Sequence, residues 1–436
     1  MKYTLVGFGI EGRSTYNYLK ILYPNAVFEI RDLTLPADLP EGVICHYGLD
    51  YLKNIDPESL VFRSPSIFSQ TILAENPHLQ KNHITHQIEY FLQHCPAMTI
   101  GVTGTKGKGT TSTLIKHIIQ HSKKSVFLIG NIGVPALDIL AQVTEDDIVV
   151  LELSSFQLMD IEISPHIAVV LRVTQEHLDI HRDIEEYQAA KLPIVKHQTS
   201  EDYAIINTML PTSQRYCDVV QGRLISIDTT SIDKVIPIDG MRSVSVEKLL
   251  LKGKHNWENI LPAIEVAKIL NIDPEIIYEA IIRFEGLEHR LEYCGTYDGI
   301  EYYNDSFGTT PETAIVALQS FPKIPITLFL GGSDKGSDYT ELCNVIAISS
   351  LKNVILIPTM GEMIWEQFTE LYPKESQNIQ TYEYPENMED AVHLAHSITP
   401  QNGVVLLSCA CASFSRFKNY KERGKLFKEA VEKLGA

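Results

Sequence analysis

Basic charge is scarce in this chain: 37 lysines and arginines stand against 55 aspartates and glutamates, a formal net charge of −18 over 436 residues. An acidic balance of this size repels nucleic-acid backbones and anionic membranes, so neither is expected as a partner. Any bound phosphate must be held by local groups. Paired cysteine is missing too, because the seven cysteines are scattered, odd in number and never spaced C-x-x-C. That excludes a disulfide frame and a zinc cluster, and it fits reduced thiols in a cytoplasm. No apolar run reaches the length of a membrane span. The opening MKYTLVGFGI is apolar, but its glycines and the following Glu11 read as a first strand and turn, not a signal peptide. What is present is globular composition, 44% hydrophobic and 21% charged. The length suits about two to four domains.

The most informative stretch is TIGVTGTKGKGTTST, residues 99–113. An apolar strand pattern through Ile100 and Val102 gives way to Gly104, Thr105, Lys106, Gly107, Lys108, Gly109 and Thr110. A helical pattern follows through Leu114, Ile115, Ile118 and Ile119. Strand, glycine loop and helix N-terminus together turn backbone N–H groups and positive potential toward an anion, and Lys108 adds a full charge. A polyphosphate is the natural guest, although such turns also serve as plain helix entries. The loop departs from G-x-x-x-x-G-K-[ST], with Val102 in place of the first glycine and Gly109 in place of the hydroxyl.

Before that loop, a strand over residues 2–6 runs into Gly7-Phe8-Gly9-Ile10-Glu11-Gly12 and then a helix. A second strand ends at Asp32, where a dinucleotide fold keeps its acid. Ser64-Pro65-Ser66 follows a third strand. Beyond the phosphate loop, Asn131 after the strand 126–129 reads as a helix cap. The run 147–153 buries Glu152, and a carboxylate there needs a partner or a cation such as Mg²⁺. A strand over 167–173 delivers Glu176, His177, Asp179 and His181, which read as a polar loop and not as a transition-metal cluster. A helix over 184–196 carries Lys191, by composition a solvated lysine. Asn256 and Asn259, spaced three apart at a helix start, suit a base or ribose or simple capping. The last segment again ends its strands in polar groups, with Asn304-Asp305-Ser306 and a Pro311 helix start among them. The pattern predicts an α/β protein of three domains, 1–95, 96–286 and 287–436. Each is built on a mostly parallel sheet flanked by helices: Rossmann-like, P-loop-type and Rossmann-like in turn.

Six stretches occur in the order and spacing of one family: GTKGKGTT (104–111), ELSSFQL (152–158), TQEHLD (174–179), AAK (189–191), GKHNWEN (253–259) and GLEHRLE (286–292). The chain resembles the Mur ligases, which use ATP to build the peptide of peptidoglycan precursors. NDS (304–306), LGGSDKG (330–336) and the run from Ser408 to Gly424 resemble the D-glutamate-adding branch. The resemblance implies a UDP-binding first domain, a central ATPase domain and a last domain that brings the amino acid. In the central domain it implies Lys108 at the β/γ-phosphates in the cradle of Gly104, Thr105, Lys106, Gly107, Gly109 and Thr110. Glu152 would serve one Mg²⁺, with Thr110, Thr111 or a water in place of the hydroxyl missing at Gly109, and His177 with a carbamylated Lys191 would serve a second. Asn256, Asn259, Arg290 and Asp305 would grip the nucleotide. Thr309, Lys335, Ser413 and Tyr420 would surround the incoming D-glutamate, and Asn131 with His177 would lie near the muramoyl substrate. Gly9, Ile10, Glu11, Gly12, Arg13, Ser14 and Asp32 would meet the uracil and diphosphate of UDP-N-acetylmuramoyl-L-alanine. The implied protein is a monomeric cytoplasmic enzyme.

Within the resemblance, the loop at 104–110 is the shorter Mur-type phosphate loop. Gly109 still removes the usual hydroxyl ligand of Mg²⁺, and Phe307 stands where the D-glutamate enzymes have lysine. Other readings are a related Mur or folylpolyglutamate-type ligase with another acceptor, a lapsed nucleotide-binding homologue, and a dehydrogenase using GFGIEG. The dehydrogenase leaves the second phosphate loop and Lys191 unexplained.

Overall fold

Apolar strands joined by crossovers long enough to hold a helix pair in parallel. In the computed structural model, which describes residues 1–174, 182–334, 336–414 and 416–435, the chain does this three times. The first sheet comprises β1 (Lys2–Val6), β2 (Val27–Asp32), β3 (Ile44–Tyr47), β4 (Leu60–Arg63) and β5 (Ile84–Thr85). Its order is β3-β2-β1-β4-β5 and every pair is parallel. The winding reverses between β1 and β4, which opens a crevice at their carboxyl ends. Gly7 follows β1 and Ser64 follows β4, with Ser64 N donating to Val6 O at 2.7 Å.

The second sheet comprises β6 (Met98–Thr103), β7 (Val126–Gly130), β8 (Ile148–Glu152), β9 (Ile167–Val170), β10 (Tyr203–Asn207) and β11 (Arg223–Ile227). Its parallel order is β11-β10-β9-β6-β8-β7, so the loop leaving β6 is flanked by the ends of β8 and β9. A short ribbon of β12 (Val235–Pro237) and β13 (Ser243–Ser245) follows. The third sheet comprises β14 (Glu292–Tyr297), β15 (Ile300–Asn304), β16 (Ile326–Gly331), β17 (Leu351–Ile357), β18 (Gln380–Glu383) and β19 (Val404–Leu407). Its order is β14-β15-β19-β16-β17-β18, antiparallel only between β14 and β15.

Contacts gather these sheets into two compact units. One holds Met1–Asp233, Pro237–Arg242 and Glu258–Ala280; the other holds Lys234–Ile236, Ser243–Trp257 and Ile281–Ala436. The first unit has a continuous apolar core. It runs from Tyr3, Leu5 and Phe91 through Ala136 and Leu140 to Val170 and Tyr187, so the first two sheets share buried surface. The second unit fills both faces of its sheet, with Leu318, Leu342 and Phe368 in one layer and Ile355, Val392 and Phe427 in another. Among the described residues no helix is long and apolar enough to cross a membrane.

Two elements differ from the sequence reading. The strand expected over 167–173 ends at Val170, because its partner β6 stops at Thr103 and turns into the phosphate loop. The helix expected over 184–196 is two short helices, Ile184–Ala189 and Pro193–Lys196. Pro193 has no N–H to donate, and the backbone tightens before it, with Lys191 N bonded to Gln188 O and Leu192 N to Ala189 O. Lys191 sits in that break.

Candidate active site

The phosphate loop begins where β6 ends. Gly107 takes φ +83° as the N-cap of helix Lys108–His121, and a Cβ there would lie 2.1 Å from Asn259 Oδ1. Glycine is therefore required twice, for the backbone turn and for the approach of Asn259. Thr105 N bonds to Arg172 O at 2.9 Å, and its hydroxyl donates to Thr174 O at 3.0 Å and accepts from Thr174 N at 2.9 Å. These bonds tie the loop to the chain leaving β9. Lys108 Nζ folds over the loop, 3.1 Å from Gly104 O and 2.9 Å from Thr105 O. Lys106 is exposed, while Gly109 and Thr110 are half-buried at the start of the helix. The Thr111 hydroxyl is turned to Asn259 Oδ1 at 3.3 Å, which leaves Thr110 as the hydroxyl beside Gly109.

At the end of β8, Glu152 is 3% exposed. Its Oε1 accepts from Asn131 Nδ2 at 3.0 Å, and Asn131 N donates to Glu152 O at 2.9 Å. Asn131 is thus a clamp on the carboxylate and not the cap of the next helix, whose N-cap is Pro135. The clamp wins because a buried carboxylate costs more unsatisfied than a helix N–H near water. Glu152 Oε2 is buried with no hydrogen-bond partner. An orphaned carboxylate oxygen beside a phosphate loop suits a hard cation such as Mg²⁺, which takes oxygen ligands. Among the described residues no three His, Cys, Asp or Glu groups gather into a metal site. Lys191 is 1% exposed, so the solvated reading of it fails. Its Nζ lies 3.5 Å from Thr103 Oγ1 and 4.6 Å from the centroid of the Tyr187 ring. Thr103 donates in turn to Leu153 O at 2.8 Å, which links Lys191 to the ends of β6 and β8. His177, with Glu176, Asp179 and His181, lies outside the described residues, as does Lys335.

The glycine loop after β1 is held by side chains. Asp32 Oδ2 accepts from Phe8 N at 2.8 Å and Oδ1 from Thr34 N at 3.2 Å. A Cβ on Gly12 would stand 2.3 Å from Gly7 O, so only glycine lets the helix Ile10–Leu22 approach the turn. Gly9 and Ile10 are exposed at its mouth. Arg13 is paired with Asp38, and the Ser14 hydroxyl accepts from Gln87 Nε2 at 3.0 Å. Glu11 points inward: its Oε1 accepts from Gln157 Nε2 at 3.0 Å, and its Oε2 is buried with no hydrogen-bond partner. Burial raises the Glu11 carboxyl above its usual range, against the lowering effects of Gln157 and Arg63.

Sequence reasoning missed the residues that join this loop to the second sheet. Gln157 closes a capping box with Ser154 and also reaches Glu11. Gln87 Oε1 accepts from Ala136 N at 2.9 Å, and Arg63 Nη2 donates to Met159 O at 2.7 Å. The Ser-x-x-Gln spacing at 154–157 announces the capping box. Nothing local announces Gln87 or Arg63.

In the second unit, Asp305 Oδ2 accepts from Ser408 Oγ at 2.6 Å and Oδ1 from Leu291 N at 3.1 Å. Burial pushes this carboxyl up to about 7, against the lowering effects of Ser408, Leu291, Arg290 and Arg423. Arg423 is 0% exposed. It donates to Ser306 Oγ and Ser306 O, each at 2.9 Å, and to Cys411 O at 3.3 Å, locking the loops that leave β15 and β19. Asn256, in the same unit, donates to Lys252 O at 2.6 Å. Ser413 is buried, while Thr309 and Tyr420 are half-exposed. The Arg290 guanidinium lies 3.9 Å from the centroid of the Phe307 ring.

A phosphate loop, a buried acid and a buried lysine at the strand ends of one parallel sheet define a nucleotide-dependent transferase or ligase centre. The family described as Mur ligase middle domain matches residues 102–267, and that described as Mur ligase, glutamate ligase domain matches residues 289–411. The chain belongs to the Mur ligase family. It is 32% identical over 449 residues to a UDP-N-acetylmuramoylalanine--D-glutamate ligase of Clostridium kluyveri, covering 99% of this chain and 97% of that one. With the protein of the same name from Koribacter versatilis it shares 36% over 413 residues, 92% and 89% of the two chains. Among solved structures, MurF ligase from Thermotoga maritima in complex with ADP aligns with a TM-score of 0.56 at 17% identity, over 99% of this chain and 95% of that one. MurF from Acinetobacter baumannii aligns with a TM-score of 0.59 at 16% identity, over 96% and 88%. These two likenesses are of fold, the three-domain Mur ligase architecture of mostly parallel sheets flanked by helices.

Proposed function

We propose that this protein is an ATP-dependent ligase that joins D-glutamate to UDP-N-acetylmuramoyl-L-alanine. The reaction class is supported by Lys108, Glu152 and Lys191 collecting at the strand ends around the phosphate loop. The substrates are those in the name of relatives alike over nearly the whole chain, the observation that carries the proposal. A substrate carboxylate oxygen attacks the γ-phosphorus of ATP, the bond to the β-phosphate oxygen breaks, and ADP leaves an acyl phosphate. The amine of glutamate then attacks the acyl carbon, loses its proton, and displaces phosphate. No protein nucleophile is needed. Lys108 holds the charge building on the phosphates, worth about 2.7–4 kcal/mol for a well-placed donor. Asn131 holds Glu152 by one carboxylate oxygen and leaves the other, at the end of β8, unpaired. Glu152 and Thr110 would hold one Mg²⁺, and His177 with a carbamylated Lys191 a second; bound there, the ions would supply charge neutralisation at the transferred phosphoryl group. Orienting the substrates accounts for much of the rate, up to about 7–11 kcal/mol.

The proposal assigns residues 1–95 to the UDP-substrate, 96–286 to ATP and 287–436 to the amino acid, in a monomer working in the cytoplasm. Phe307, a departure from the D-glutamate pattern that the chain otherwise resembles, motivates one variant of this reading, a ligase of the same class with another acceptor. Purified protein with ATP, Mg²⁺, UDP-N-acetylmuramoyl-L-alanine and a panel of amino acids decides between them by phosphate release. Release with D-glutamate is the expected outcome. Release with another amino acid selects the variant, and silence with every acceptor overturns both.

A further inference from the structure

Phe307, in the polar loop after β15, is 39% exposed. Its ring is engaged on two sides. The Arg290 guanidinium carbon lies 3.9 Å from the ring centroid, and the Tyr420 ring meets it edge-on, 5.0 Å away at 84°. His289 meets Tyr420 in turn, 5.9 Å away and also at 84°. The backbone holds both ends of the stack. Phe307 N donates to His289 O at 2.8 Å, Leu291 N to Asp305 Oδ1 at 3.1 Å, and Asn304 Nδ2 to Glu292 Oε2 at 3.1 Å. The neighbours of Arg290 on both sides take left-handed conformations, His289 at φ +65° and Leu291 at φ +46°. Such conformations in non-glycine residues persist only where the surroundings over-determine them. The clasp between residues 289–292 and 304–307 keeps Arg290 against the Phe307 ring.

A guanidinium on an aromatic face is attracted by the ring quadrupole through its own face, so its plane, and with it the direction of the N–H edge, follows the ring. We propose that Phe307 is a positioning residue: it sets the plane of Arg290 for an incoming nucleotide phosphate and couples that arginine to Tyr420 on the amino-acid side. This rests on the assignment of Arg290 to the nucleotide and Tyr420 to glutamate. A lysine at 307 would set two cations against each other at this spacing, so the phenylalanine and the arginine over its ring belong together.

The test is ADP titration of the full-length protein by calorimetry, which needs no turnover, with ATP kinetics beside it. Phe307→Leu is expected to weaken ADP about 3- to 30-fold and to raise the KM for ATP at constant kcat. Phe307→Tyr restores affinity to within about twofold, and Phe307→Lys is at least as weak as the leucine variant. In an Arg290→Ala background, Phe307→Leu adds nothing. Equal losses in the leucine and tyrosine variants, or a leucine effect that persists without Arg290, overturn the inference. If Arg290→Ala itself binds ADP as tightly as the parent, the nucleotide assignment of Arg290 fails and the inference with it. Melting temperatures of the 307 variants matching the parent exclude misfolding as the cause.

Discussion

The molecule builds a strand, a glycine turn and a helix twice within one unit, and the two turns are opposite in charge. The loop at 104–110 carries Lys106 and Lys108, and its helix has no acid in its first turn. The loop at 7–12 carries Glu11, is braced by Asp32, and has its Arg13 already paired to Asp38. A backbone that cradles anions is therefore not by itself a phosphate site: the side chains decide whether the helix dipole is reinforced or opposed. The loop at 7–12 is suited to recognition by hydrogen bonding at its exposed mouth, the loop at 104–110 to neutralising a polyphosphate.

The largest break in this contrast comes from Lys108→Ala, which lowers kcat/KM for ATP by about 10²–10³-fold, read by phosphate release, with an unchanged melting temperature. Gly12→Ala comes next. Its Cβ meets the Gly7 carbonyl, which cannot move aside as a side chain would, and the expected loss is about 1–3 kcal/mol in urea unfolding. Gly107→Ala meets the movable end of Asn259 and chiefly strains the backbone, so its stability loss is the smaller; the reverse order would show the second turn to be the tighter. Gln157→Leu strands Glu11 and the Ser154 amide. It is expected to cost about 1–2 kcal/mol and to raise the KM for the UDP-substrate while sparing that for ATP.

The smallest effect is a pH dependence. The Glu11 carboxyl is raised in the folded state, chiefly by burial, so its ionised form opposes folding. The penalty is absent below the unfolded carboxylate range, near pH ~4, and grows as pH rises through the folded value. Glu11→Gln keeps an oxygen for Gln157 and is expected to gain melting temperature over the parent from acid toward neutral pH. A difference that stays constant across that window counts against a raised Glu11.

Most strands were legible in the sequence because parallel strands buried on both faces are short apolar runs, as in Ile148–Glu152. The phosphate loop, Glu152 and the polar ends of the last sheet were legible for the same reason, standing where an apolar run stops. Lys191 was not, because helical periodicity carries no record of which face a lysine shows, and Pro193 was read through as though the helix continued. Asn131 looked like a cap, since a cap needs only near neighbours and its true partner lies 21 residues on. Gln87 and Arg63 act only between layers, and periodicity within a segment is blind to that.

Arg423 reaches back 117 positions to bind Ser306. During synthesis the loop after β15 and the strand behind it are made long before the helix Tyr420–Lys433 that pins them. The third sheet can pair as it emerges, yet the loops after β15 and β19 lack their shared anchor, and one face of the sheet lacks Phe427 and Val431, until this last helix arrives. Nonsense and frameshift alleles falling just before Arg423 should therefore behave as loss-of-function although they spare every strand, because they remove both the anchor of these loops and part of the core.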